Sequence, residues 1–236
     1  LRFGASIQSM DEEVLANIKR SNISYQTLID LSAKVSNTEA SSYSEVILAL
    51  PGDSKEKHYS TIDKLVDAGI NQIRLLTLII LDGSELGTDA EINKFNIKAR
   101  YRAVHRSFGT YKINGKNFSS VEIEKVCVET QTLSFEDYVE CRRFALTVTL
   151  FYNDKIMFEL TQFIKNMGSR VSQWIHYVHE HYAEFPKKLS EIYDQFTKET
   201  IEELAESKED FEQWLKHEPE IMEDYINGKR GNNVLF

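Results

Sequence analysis

The chain has 236 residues, a formal net charge of −9, 42% hydrophobic and 11% aromatic residues, and only three prolines. That balance suits one large or two small globular domains and excludes a disordered chain. No apolar run reaches the roughly 18–20 residues of a membrane span, and the acidic charge argues against a nucleic-acid partner. Two cysteines, Cys127 and Cys141, make neither a disulfide scaffold nor a four-thiolate metal site, so a reducing, cytoplasmic setting is expected.

The chain opens at Leu1 without an initiator Met and enters an extended run, Phe3 to Gln8, at once. This is expected of a fragment whose N-terminal part is missing. Ser9 and Glu12 have capping-box spacing; Val14, Leu15 and Ile18 give an apolar face, with Lys19-Arg20 in the helix's last turn. A second helix is expected from Ser24 to Val35, with Leu28, Leu31 and Val35 on one side, then a polar stretch from Ser36 to Ser44.

Glu45-Val46-Ile47-Leu48-Ala49-Leu50 is a nearly continuous apolar run, expected to be a strand buried on both faces and stopped by Pro51-Gly52. Asp53 and Glu56 repeat the capping-box spacing before a helix carrying Ile62, Leu65 and Val66 that ends at Gly69. Gln72 to Leu81 reads as a further buried strand, closed by Asp82-Gly83. Buried strands joined by amphipathic helices imply parallel βαβ units. Lys98 to Val104 and Val121 to Thr130 look extended around the hairpin dipeptide Asn114-Gly115. After Ser134 the pattern is helical to Tyr225, with breaks at Gly168 and Pro186 and a frayed tail from Gly228 to Asn233.

Functional residues of a parallel α/β fold gather at the C-terminal ends of its strands. The candidates are therefore Gln8-Ser9, Leu50-Pro51-Gly52 and Leu81-Asp82-Gly83. Glu45 interrupts the apolar pattern and reads either as a solvated strand-entry residue or as a ligand-binding carboxylate. Arg20 can be a helix-dipole cation, and Gln8 a strand-end residue with backbone bonds only. His176, His179 and His181 suggest metal ligands, but His181 leaves the shared face of a helix, and a solvated face is expected. The acidic run Glu199 to Glu212 is expected to be an exposed helix surface, and Cys141 an inert packed thiol.

Taken together, Ser6-Ile7-Gln8-Ser9 with Ile18-Lys19-Arg20, Glu45 to Gly52, and Leu75 to Leu86 resemble the fourth, fifth and sixth strands of the radical S-adenosylmethionine (radical SAM) barrel, in order and spacing. Arg100 to Tyr152 is similar to the region after the barrel in the subgroup with a cobalamin-binding domain. The resemblance implies an α/β fold: the C-terminal half of a partial (βα)6 TIM-like barrel over 1–110, an extended connection over 111–133, and a helical domain over 134–236. It implies that Gln8 contacts the ribose or methionyl part of SAM, Arg20 the SAM carboxylate and Glu45 the ribose hydroxyls, with Ile47 and Ile79 flanking the adenine. The common Leu-Pro-Gly-Thr after strand six is Leu81-Asp82-Gly83-Ser84 here. The family's Cys-x3-Cys-x2-Cys cluster motif is not in this sequence, so the [4Fe–4S] ligands are expected in the missing N-terminal barrel half. The implied function is the SAM-binding portion of a radical SAM enzyme acting on a small-molecule substrate, with cobalamin as a further implied cofactor. The alternatives are a cluster-free βα-barrel enzyme and an inactive barrel remnant whose helices bind a partner.

Overall fold

Three short parallel strands organise the first third of the chain. The structure, a computed structural model, describes residues 2–36 and 40–233. Leu1, residues 37–39 of the expected polar stretch, and the side chains of Arg2, Val35, Ser36 and Pro219 lie outside that description. Strands β1 (Arg2–Gln8), β2 (Ser41–Leu48) and β3 (Gln72–Thr77) form one parallel sheet in the order β1-β2-β3. Helices α1 (Glu12–Asn17) and α2 (Tyr25–Ser36) connect the first pair of strands, and α3 (Lys55–Asp67) connects the second.

Two helix starts differ from expectation by one or two residues. The α1 cap is Asp11, whose carboxylate accepts from the Val14 N–H, while Ser9 Oγ accepts from the Asp11 N–H one step earlier. The α3 cap is Ser54, with Asp53 folded back to accept from the Ser54 N–H at 3.0 Å. A short polar side chain caps from whichever position first has extended backbone, and both caps do. In α2, Leu28 is buried, but Leu31 is exposed and Ser32 takes the second inward position.

The sheet is covered on one face only. Burial alternates along β2 and β3. Ile7, Val46, Ile73 and Leu75 point into a core with Leu65 of α3 and with Phe144 of α5 (Phe135–Phe151). On the opposite face, Glu45 and Ile47 are half-buried and Arg74 and Leu76 exposed. The expectation of strands buried on both faces is thus corrected, and β2 starts at Ser41, four residues before Glu45.

Strands β4 (Lys98–Ile113) and β5 (Lys116–Glu129) form a long antiparallel hairpin, so residue 110 lies within β4. Asn114 and Gly115 both have positive φ, 49° and 79°, which a two-residue turn matching the strand twist requires. The hairpin is joined to the end of β3. Leu78 accepts from the Cys127 N–H and Ile80 donates to the Lys125 carbonyl, each at 2.8 Å, around an Ile79–Val126 bridge. The described residues hold ten α-helices and form no closed barrel.

Five further helices follow: α6 (Phe158–Asn166), α7 (Val171–Glu180), α8 (Lys187–Glu202), α9 (Lys208–His217) and α10 (Pro219–Ile226), the last two packed on the hairpin through Phe211, Ile221 and Tyr225. The short α4 (Asp89–Phe95) precedes the hairpin. The segment from Gly228 to Asn233 is not frayed. Both Glu203 carboxylate oxygens accept from the Gly231 N–H, Arg142 donates to the Asn233 carbonyl, and His105 Nδ1 lies 3.1 Å from the Gly231 carbonyl. Glu203 thereby departs from the otherwise exposed acidic run. Burial pushes its carboxyl above the usual range, partly offset by the Gly231 hydrogen bond. No described helix is long and apolar enough to cross a membrane.

Candidate functional site

The C-terminal ends of β1 and β2 both carry a non-glycine residue in the left-handed region: Gln8 at φ 62° and Ala49 at φ 67°. Such residues cost about 1–3 kcal/mol and persist where surrounding contacts hold them. At Gln8 the ladder slips, pairing Ser6 with Glu45 but Gln8 with Val46. The Ser9 N–H donates to the Ile7 carbonyl across Gln8 at 2.8 Å. Asn22 Nδ2 donates to the Ile7 and Ser9 carbonyls at 2.8 and 2.7 Å, fixing the strand end. The Gln8 side chain is half-buried and has no hydrogen bond among the described residues.

Arg20 reaches this strand because of how α1 stops. Lys19 adopts φ 54°, its N–H donates to Ala16, and the Arg20 N–H donates back to Leu15 at 2.9 Å. This left-handed C-terminal motif satisfies the last carbonyls through backbone. Lys19 and Arg20 therefore lie beyond the helix rather than in its last turn, which contains no basic residue. The Arg20 guanidinium turns back over the sheet, donating through Nη2 to the Ser6 carbonyl and through Nε to Asn22 Oδ1 at 3.2 Å.

Glu45 stands mid-strand between Ser6 on β1 and Arg74 on β3, both in register with it. Its Oε2 accepts from Ser6 Oγ at 2.8 Å, and its Oε1 lies 3.4 Å from Arg74 Nη1. It is therefore not a strand-entry residue. Arg74 is also held 4.6 Å over the Tyr43 ring. Tyr43 lies against Gly4, where any Cβ would collide with the ring. Arg20, Ser6, Glu45 and Arg74 thus form one contiguous polar ledge on the open face.

Ile47 and Ile79 belong to a neighbouring feature. Both line a cavity of about 400 Å³ where the end of β3 meets the hairpin and α5. The structure therefore links Arg20 with Glu45 through Ser6 and links Ile47 with Ile79 through the cavity. Gln8 touches neither group through a hydrogen bond. Sequence reasoning missed Ser6, Arg74, Arg102 and Glu124. Arg74 had a signal: like Glu45, it is a charge inside an otherwise apolar strand run. The Arg102–Glu124 pair depends on hairpin register and had none.

The histidines do not form a solvated face. His176 Nε2 lies 2.9 Å from Asp63, and its pKa is raised by that hydrogen bond against the opposing effect of burial. His179 is 4% exposed, with Nε2 2.8 Å from Glu140 and Nδ1 3.1 Å from Thr147 Oγ1. Burial, reinforced by Arg143 and His176, lowers its pKa to about 4. A neutral ring donating from Nε2 to Glu140 and accepting at Nδ1 from Thr147 fits this geometry. Cys127 and Cys141 are both buried. Burial raises the Cys127 thiol to about 12 and pushes Cys141 up as well. Among the described residues, no group of three or more His, Cys, Asp and Glu side chains is placed to hold a metal ion.

A comparison with protein-family models finds no match. The chain is 26% identical over 149 residues to the 2-(S-pantetheinyl)-carbapenam-3-carboxylate methyltransferase of Streptantibioticus cattleyicolor, covering 63% of this chain and 21% of that protein. It is 25% identical over 149 residues to the cobalamin-dependent radical SAM methyltransferase TokK of Streptomyces tokunonensis, with the same two shares. The match therefore spans about a fifth of the length of these curated relatives.

Proposed function

We propose that this chain is the SAM-binding portion of a radical SAM enzyme, with a methyltransferase the reaction class favoured by the two relatives. The observation that carries the reading is the meeting of Arg20 and Glu45 on one residue, Ser6. An exposed guanidinium and a half-exposed carboxylate stand side by side on the open face. A ligand with a carboxylate and a vicinal diol could use both, the first through charge-assisted N–H donation and the second through donation to Glu45. Ile47 and Ile79 offer apolar surface for a base, and Gln8 brings an amide to the strand end.

SAM therefore fits the residues present, and these side chains would bind and orient it. When bound together with an iron–sulfur cluster, SAM supplies a 5′-deoxyadenosyl radical. The cluster does not fit this chain: Cys127 sits in β5, Cys141 in α5, and both are sealed, protonated thiols. We assign its ligands to chain outside this sequence and place no cobalamin contact on any residue here. The open sheet face supports the same reading, since parallel strands are almost always covered on both faces. Residues 1–110 would then form part of a (βα)6-type barrel completed by further chain. Residues 111–133 would connect it to the helical residues 134–236.

The test is SAM binding by the intact protein carrying Glu45→Ala or Arg20→Ala. Each is expected to weaken affinity about tenfold or more, the usual scale for a charge-assisted hydrogen bond. Unchanged affinity in both variants overturns the site.

A further inference from the structure

The cavity that holds Ile47 and Ile79 has a charged floor that the SAM reading does not use. Arg102 on β4 lines it, is 7% exposed, and donates through Nε to Glu124 Oε1 at 2.6 Å. That is the hydrogen bond its guanidinium makes among the described residues. Neither terminal nitrogen is among the polar atoms sealed without a partner. The two Nη groups therefore keep solvent contact on a residue that lines the cavity, with four N–H donors in a fixed planar fork. A guanidinium this buried is costly to leave with open donors, and β4–β5 pairing holds it there, with Arg102 directly opposite Glu124. The remaining walls are largely apolar, including Leu76, Leu78 and Val104, with His105 and Arg142 among their polar members. Leu76 and Ile79 are 45% and 40% exposed, so the cavity opens beside the face that carries Glu45.

We propose that this cavity binds the carboxylate of a small, otherwise apolar ligand, with Arg102 as its anchor. Two parallel N–H donors match a carboxylate edge, and apolar walls match a hydrocarbon body. Glu124 already takes the Nε side and Arg142, which also lines the cavity, donates to the Asn233 carbonyl, so the outer edge of the Arg102 fork lies beside a carboxylate and suits a monoanion rather than a phosphate dianion. Glu124 also fixes the plane of the fork, so it is a positioning residue. As a carboxylate site the cavity stands on its own geometry. Its identity as the substrate site, in the Arg102 part of a cavity whose Ile47 and Ile79 walls are offered to the cofactor's base, rests on the reading above.

The experiment is calorimetric titration of the intact protein, without SAM, using cyclohexanecarboxylate as the probe. Cyclohexanecarboxamide and cyclohexyl phosphate serve as comparisons. Saturable carboxylate binding is expected, with both comparisons weaker by about tenfold or more. Arg102→Lys keeps the charge but loses the fork, and is expected to bind between wild type and a neutral variant. Because Arg102→Gln alone strands Glu124 and can unfold the hairpin, the neutral variant is Arg102→Gln with Glu124→Gln. It should remain folded by circular dichroism and lose about tenfold or more in carboxylate affinity. Glu45→Ala should leave carboxylate binding unchanged, so failure of the SAM site and failure of this site are read separately. Equal binding of the carboxamide, tighter binding of the phosphate, no saturable binding, or unchanged affinity in the folded double variant would each overturn the proposal.

Discussion

The two faces of the parallel sheet are built from alternate residues of the same three strands and are chemically opposite. On the covered face, Ile73 is 1% exposed and packs with helices α3 and α5, while its backbone N–H and C=O are both bonded to the side chain of Asn153. One residue later, on the open face, Arg74 reaches to Glu45 and lies over Tyr43. Stability should therefore reside behind the sheet and ligand binding in front of it. Substituting neighbouring positions on one strand tests this directly. Ile73→Ala is expected to cost about 2–5 kcal/mol in urea unfolding, through lost burial and the cavity left behind. SAM affinity of the remaining folded protein should not change. A cost below about 1 kcal/mol would mean that the covered face is not the structural one.

The covered side should also set the acid sensitivity. His179 has a folded pKa near 4 against about 6.5 when unfolded, so the unfolded chain binds the extra proton between those values. Its contribution is complete above about pH 6.5 and is lost as the pH falls towards 4. The expected loss is about 3 kcal/mol over that window, measured as the unfolding free energy against pH. His179→Gln should flatten this slope. His176, three residues away, has the opposite sign. Asp63 raises its pKa, so its contribution is complete below about pH 6.5 and is lost as the pH rises through the folded value.

Sequence made one of these faces more legible than the other. Continuous apolar runs announced β2 and β3, though not their one-sided burial, and helical spacing announced α3, whose Ile62, Leu65 and Val66 proved to be inward. Asn114-Gly115 announced the hairpin, because that dipeptide tolerates two positive φ angles. The ledge was only half visible. Glu45 stood out as a charge in an apolar run, whereas its bonds to Ser6 and Arg74 depend on parallel register, which no local pattern encodes. Register also hid Arg102 opposite Glu124. The histidines misled because spacing reports a shared helix face but not what packs on it, here Asp63 from α3 and Glu140 from α5. The tail misled for the same reason, since its partners Glu203 and Arg142 lie 28 and 91 residues away.

On the open face, Glu45→Ala removes a carboxylate that carries no core packing. Stability should change by no more than about 1 kcal/mol, the upper end for an exposed ion pair. SAM affinity should fall by about 1.5–3 kcal/mol, the range for hydrogen bonds to a charged group. Comparable losses in both would show that Glu45 is structural. The separation between its two effects is the sharpest measure of what this face is for.

The smallest effect belongs to Arg74, and it separates positioning from contact. Arg74 and Glu45 pair at 3.4 Å with side chains 43% and 30% exposed, so the pair itself should add about 0–1 kcal/mol to stability. Its other consequence is to hold Oε1 while Ser6 holds Oε2, leaving Glu45 one orientation across the sheet. Arg74→Met should therefore weaken SAM binding only a few-fold, on the order of 0.5–1 kcal/mol in calorimetry. Adding Ser6→Ala should cost more in the Arg74→Met background than alone, because either contact can orient the carboxylate while the other remains. Strictly additive losses would show that Arg74 and Ser6 touch the ligand independently, and the ledge would then consist of separate contacts rather than one oriented carboxylate.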